Sequence, residues 1–177
     1  MRKVRAGNRE ITVQPDLLAG EYQGTGKSRR HQRVQDIQAR KVRGCDLAFI
    51  DPVEVTVPGG GKDSVRIQVA SLVTFLVMKG MALDDRLKEK DAWDIYNCVR
   101  NYPGGLDALA DGLRPHLGHG LVKEGLQKIM RHFASTSHVG PTAVADFEEI
   151  TDSEERELIQ RDACERVSYV LSRLGVR

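Results

Sequence analysis

The stretch VRIQVASLVTFLVMKG, Val65–Gly80, holds the change of rhythm that decides the fold. Val65, Ile67 and Val69 alternate with Arg66 and Gln68, the period of two expected of a strand with one apolar face. After Ala70 the alternation stops. Ser71 can cap a helix through its side-chain oxygen. Leu72, Phe75, Leu76, Lys79 and Leu83 then follow at helical spacing. The chain therefore reads as β before this point and α after it.

Working upstream, Val53, Val55 and Val57 alternate with Glu54 and Thr56, so Leu47–Val57 reads as β structure. The PGGG at 58–61 is a turn, and together the two runs predict a β-hairpin with Pro58 at its edge. Ile11–Val13 begins another short strand, which Pro15 limits to an edge or an end. Gly20 to Gly26 is loop. The mostly basic KSRRHQRVQDIQARKVRG, Lys27–Gly44, carries only a thin apolar stripe of Val34, Ile37 and either Ala39 or Val42, and predicts a short helix ending at Gly44.

Working downstream, a second helix is expected from about Lys90 to Arg100, with Trp93, Ile95, Tyr96 and Val99. A third carries Leu106, Leu109, Ala110 and Leu113 and ends near Pro115. A fourth carries Leu121, Leu126, Ile129, Met130 and Phe133. The last begins at a capping box, Thr151-x-x-Glu154, and runs with Leu158, Ile159, Ala163, Val167, Val170, Leu171 and Leu174 on one stripe. The expected class is α+β: a small antiparallel β region with a basic loop or helix in residues 1–70, then about five helices in residues 71–177.

A chain of 177 residues with 40% hydrophobic content can bury a core without disulfides or a structural metal. Cys45, Cys98 and Cys164 are odd in number and far apart, so neither a disulfide framework nor a zinc ribbon is suggested. Free thiols fit the cytoplasm. The longest apolar stretch, Val69–Met78, is well short of the roughly 20 residues that span a bilayer, so no membrane association is expected. The net charge of +2 hides an asymmetry: residues 1–43 hold 11 Lys/Arg against 4 Asp/Glu, and the rest 16 against 21. A basic segment beside an acidic body suits a polyanion such as a nucleotide or RNA, and equally suits a solvated basic arm.

The chemistry-bearing residues gather in Lys79–Ile95. Lys79, Ala82 and Arg86 share one helix face. Asp91 and Asp94 lie three apart near the start of the next helix, where the dipole favours carboxylates. Lys and Arg can hold phosphoryl oxygens, and Asp can act as base or bind Mg²⁺. The same spacing also allows Asp91 as a helix cap and Arg86 with Asp94 as an inter-helix ion pair.

LVMKGMALDDRLKEKDAWDIYNCVRNYPGG, Leu76–Gly105, resembles the Lys…Ala…Arg…Lys-Asp…Asp motif of the AbiEii/AbiGii-type nucleotidyltransferases. The Y-x-G-T-G-x-x-R-R-H-Q-R run at Tyr22–Arg33, DLAFIDPVEV at Asp46–Val55 and VADFEE at Val144–Glu149 are similar to a subgroup of that family. The resemblance runs from about Ile11 to the end and covers the carboxy-terminal two-thirds of the family pattern. It implies transfer of a nucleoside monophosphate from a nucleoside triphosphate with Mg²⁺, in toxin–antitoxin or phage-defence pairs, with RNA as a possible acceptor. On the matched positions, Lys79 and Lys90 would contact phosphate and Arg86 would brace the site. Asp91 or Asp94 would be base or charge partner. Asp16 stands where the family places a third, metal-binding acidic residue.

The chain departs from the pattern in having no Gly-Ser pair, the motif that precedes two metal-binding carboxylates. Without such a pair, two Mg²⁺ ions cannot be clamped around an in-line displacement. The expectation is a protein inactive alone: a fragment, a chain whose missing half a second polypeptide supplies, or a degenerate homologue, with an antitoxin as a further partner. The competing expectation is a non-enzymatic module that binds RNA or protein through Arg29, Arg30 and Arg33. GTGKS at 24–28 is not a P-loop, because position 21 is Glu where the motif requires Gly. His116 and His119 flank a turn with no nearby Cys and read as surface loop residues. Trp93, Tyr96 and Cys98 read as packing residues.

Overall fold

In a computed structural model, the described residues are 2–6, 9–13, 16–20, 31–34, 37–58 and 64–176. The class is α+β, strands first and helices after. The chain forms two compact units, Met1–Asp46 and Leu47–Arg177, so the Val53–Val69 hairpin belongs with the helices.

In the first unit, β1 (Arg2–Ala6) pairs antiparallel with β2 (Arg9–Val13). A separate sheet has the order β3 (Leu18–Gly20), β5 (Ile37–Val42), β4 (His31–Val34). Two expectations are corrected here. The β3–β5 pair is parallel, so the region is not purely antiparallel. From His31 onward the described part of the basic segment is strand, not helix. The thin stripe at Val34 and Ile37 offered a helix no face to bury. β5 instead alternates, with Ala39 buried and Gln38 and Arg40 exposed. Its backbone groups find partners on both sides in β3 and β4. Gly44, at φ 83°, ends the strand in the left-handed region that favours glycine.

A 3₁₀ turn runs over Cys45–Phe49, and its residues from Leu47 lie in the second unit, where β structure was expected. Leu47 is buried there, and its carbonyl accepts a 2.9 Å hydrogen bond from the Thr74 hydroxyl, which fixes the turn. Strands β6 (Val53–Pro58) and β7 (Ser64–Val69) form the expected hairpin, with Val53 opposite Val69, Val55 opposite Ile67 and Val57 opposite Val65.

Among the described residues the helices number six: α1 (Leu72–Arg86), α2 (Glu89–Arg100), α3 (Gly105–Leu113), α4 (Gly120–His132), α5 (Val139–Phe147) and α6 (Ser153–Arg173). Ser71 caps α1, accepting from the Thr74 amide at 3.4 Å. The cap of α6 is Asp152, whose carboxylate accepts from the Glu155 amide at 2.9 Å, one residue beyond the Thr151 capping box expected. The helix missing from the expectation is α5. It is short and buries Gly140, Pro141, Ala143, Val144 and Ala145, so it shows no amphipathic stripe. Pro141 sits in its first turn, where the absent N–H costs nothing.

The core lies among the helices, with Leu76, Val77, Leu83, Ile95, Leu126 and Phe133 fully or almost fully buried. Helices α1 and α4 meet backbone to backbone. A Cβ on Gly125 would stand 2.9 Å from Val77 Cα, and one on Gly80 would stand 2.8 Å from Ile129 Cγ1. That close crossing holds α1 rigidly, and α1 carries two of the cations described next.

Candidate functional site

Helices α1 and α2 are joined by two residues, Leu87 and Lys88, with Leu87 in the left-handed region at φ 49°. The connection folds α2 back against α1. Lys79 and Arg86 are seven positions apart, close to two turns of about 3.6 residues each, so both face the first turn of α2. Lys88 is the residue before α2, and Asp91 is the third residue within it. Asp91 is therefore not the helix cap.

Asp91 is 1% exposed, and both of its oxygens are engaged. Oδ1 accepts from Lys79 Nζ at 2.9 Å and Arg86 Nη2 at 2.8 Å, and Oδ2 accepts from Arg86 Nε at 2.6 Å. The fork of the guanidinium thus grips the carboxylate with two parallel bonds. Lys79 also reaches Asp94 Oδ2 at 2.5 Å. Lys90, one turn before Asp94, donates to Asp94 Oδ1 at 2.9 Å. The ion pair considered between Arg86 and Asp94 is replaced by Arg86 with Asp91, while Lys79 bridges both carboxylates.

Burial alone would raise the Asp91 carboxyl, but the hydrogen bonds from Arg86 and Lys79 outweigh it and hold it below the usual carboxylate range. Burial likewise works to lower Lys79, and the bonds to Asp94 and Asp91 overcome it and raise it. Arg86 is raised by its bond to Asp91. An acid held ionised among donors is a weak proton acceptor, so Asp91 suits positioning rather than general base work. Three cations face the two carboxylates, and Asp85 adds a further negative charge beside Arg86. The more exposed of the three side chains are Arg86, at 41%, and Lys90, at 62%.

An aromatic pair borders the cluster. Trp93 on α2 and Phe147 at the end of α5 have ring centroids 5.0 Å apart, and Lys90 Nζ lies 5.8 Å from one and 5.9 Å from the other. Trp93 Nε1 donates to Glu148 Oε1 at 3.0 Å. Phe147 and Glu148 were not singled out from the sequence as site residues, because they stand more than fifty positions from Trp93. Cys98 is raised by burial and by Asp94, which does not suit a nucleophile. Tyr96 is buried, donates to Asp162 Oδ2 at 2.6 Å and is pushed up to about 12 by that burial and bond.

The other sequence-derived candidates lie elsewhere. Asp16 and Arg33 belong to the first unit, where Asp16 is exposed just before β3 and Arg33 is exposed on β4. Arg29 and Arg30 lie outside the described residues. His119 is exposed and caps α4, its Nδ1 accepting from the Leu121 amide at 3.3 Å. The recess lined by Leu47, Ser71, Thr74, His116 and Val122 includes no residue of the cluster.

The carboxylates of Asp91 and Asp94 are occupied by cations, so this cluster does not fit Mg²⁺. Among the described residues, no group of three or more His, Cys, Asp and Glu side chains is placed to hold a metal ion. Among those residues no helix is long and apolar enough to cross a membrane. Comparison with protein-family models, with curated proteins and with solved structures finds no match.

Proposed function

We propose that this protein is nucleotidyltransferase-like and that the α1–α2 cluster grips the phosphates of a nucleoside triphosphate. The observation that carries the reading is the pairing of a buried carboxylate, Asp91, with Lys79 and Arg86, next to Lys90 on Asp94. The two aspartates hold the cations in place, while Arg86 and Lys90 keep solvent-facing heads that phosphate oxygens can reach. In the transfer, an acceptor hydroxyl such as one on RNA bonds to the α-phosphorus and pyrophosphate leaves. Mg²⁺ would arrive with the triphosphate, and the carboxylates that hold it, with the base, would come from outside this cluster. An additional polypeptide, or a controlling antitoxin, is the partner this reading calls for.

The test is to incubate the purified chain with Mg²⁺, cellular RNA and each labelled nucleoside triphosphate in turn. The chain alone is expected to bind nucleotide and to transfer no label, with binding lost in Arg86→Ala and weakened in Lys79→Ala. Label transferred by the isolated chain would overturn the dependence on outside carboxylates. Absence of nucleotide binding would overturn the reading itself.

A second reading has its own observation. The register of β4 on β5 sets His31 opposite Arg40 and Arg33 opposite Gln38, so these four side chains share one face. A basic strand face suits RNA backbone contact without enzymatic activity. RNA binding that falls steeply with salt, weakens in Arg33→Ala and Arg40→Ala and survives Asp91→Asn would favour it.

A further inference from the structure

We infer that Trp93 and Phe147 are the base-stacking wall of the same site, which makes its ligand a nucleotide rather than a bare polyphosphate. The inference rests on the phosphate-binding reading above. Lys90 is the hinge of the argument. Its Nζ lies 2.9 Å from Asp94 Oδ1, within the cation cluster, and also within 6 Å of both ring centroids. A triphosphate on Arg86 and Lys90 would therefore carry its nucleoside toward the aromatic pair. The rings are tilted by 37° and leave apolar surface open, since Phe147 is 37% exposed and Trp93 is only partly buried. The indole N–H is already given to Glu148, which fixes the ring plane. What Trp93 and Phe147 have left to offer is the part of their rings that they and Lys90 do not cover. A π-face accepts any base, so the wall adds affinity for nucleotides without selecting strongly among them.

Trp93 is the only tryptophan in the chain, so its emission reports on this wall alone. The full-length chain is titrated in Mg²⁺ with ATP and, separately, with inorganic tripolyphosphate, and binding is followed by calorimetry and by Trp93 fluorescence. ATP is expected to change the emission and to bind about tenfold tighter than tripolyphosphate, the size of one base–aromatic stack. Phe147→Ala and Phe147→Leu should remove that advantage and leave tripolyphosphate affinity unchanged. The second variant keeps apolar volume beside Trp93, and circular dichroism checks that both fold. Equal affinities in the unsubstituted chain, or ATP binding with unchanged emission, would overturn the wall and leave the phosphate site standing. Failure of both ligands to bind would overturn both.

Discussion

Asp91 and Asp84 stand seven positions apart in sequence, and each meets cationic side chains, but they do different work. Asp91 is sealed against α1 and binds Lys79 and Arg86, which lie 12 and 5 positions away. Asp84, on α1 itself, is 20% exposed and reaches across to α4, where Lys128 lies 2.9 Å from Oδ2, Arg131 3.1 Å from Oδ1 and His132 Nε2 3.0 Å from Oδ1. The first carboxylate organises a local corner from which the Arg86 and Lys90 side chains reach solvent. The second fastens two helices that already touch at Gly80 and Gly125. Burial decides how much each is worth. A carboxylate removed from water depends on its partners, whereas one at the rim can fall back on solvent.

The largest effect is expected at Asp91. Asp91→Ala leaves Arg86 without its carboxylate and Lys79 with Asp94 alone, in a corner largely closed to water, and should cost about 3 kcal/mol in urea unfolding. A loss below about 1 kcal/mol would mean that the corner is wet and the contrast with Asp84 is false. The pH dependence has a definite sign. The folded carboxyl sits below its ordinary value of 3.8, so its contribution is fully present above that value and is lost as pH falls through the folded one. The gap in stability between the unsubstituted chain and Asp91→Asn should therefore hold at neutral pH and narrow only under strong acid.

The same contrast explains what could be read from the sequence. The switch at Val65–Gly80 was legible because both periods are local, and the hairpin register and α1 follow from it. The Lys79–Arg86–Asp91 grouping was legible because a two-residue connection leaves α2 little choice but to fold back on α1. Asp84 was silent: its partners Arg131 and His132 stand 47 and 48 positions away, on a helix whose packing is set by two glycines. The pairing of Trp93 with Phe147 and Glu148 was silent for the same reason. Helix α5 was hidden because burial on nearly all sides erases the stripe. Strands β4 and β5 were misread because their basic side chains masked an alternation visible only once Ala39 is known to face inward.

A middle-sized effect is expected at Asp84. Asp84→Ala should cost about 1–2 kcal/mol, more than a surface pair because Lys128, Arg131 and His132 lose one shared partner and less than Asp91 because water reaches the gap. The bond from Lys128 holds this carboxyl below its ordinary range, so the acid limb has the same sign as for Asp91. Salt separates the two. In 1 M salt the screening length falls to about 3 Å, so the cost of Asp84→Ala should shrink while that of Asp91→Ala stays nearly unchanged. Equal salt sensitivity would erase the distinction drawn from burial.

The smallest effect on stability is expected at Lys90. Its side chain is 62% exposed, and its bond to Asp94 is an i,i+4 contact on one helix, so Lys90→Ala should cost no more than about 0.5 kcal/mol. Asp94 keeps Lys79 as a partner, so no buried charge is stranded. Nucleotide affinity should nonetheless fall, because Lys90 is the cation that joins the phosphate end of the site to the Trp93–Phe147 rings. A residue that matters little to folding and much to binding is what a ligand-facing cation requires. Lys90→Ala that unfolds the protein would make Lys90 a brace like Asp84, whereas Lys90→Ala that leaves both stability and binding intact would confine phosphate recognition to Arg86.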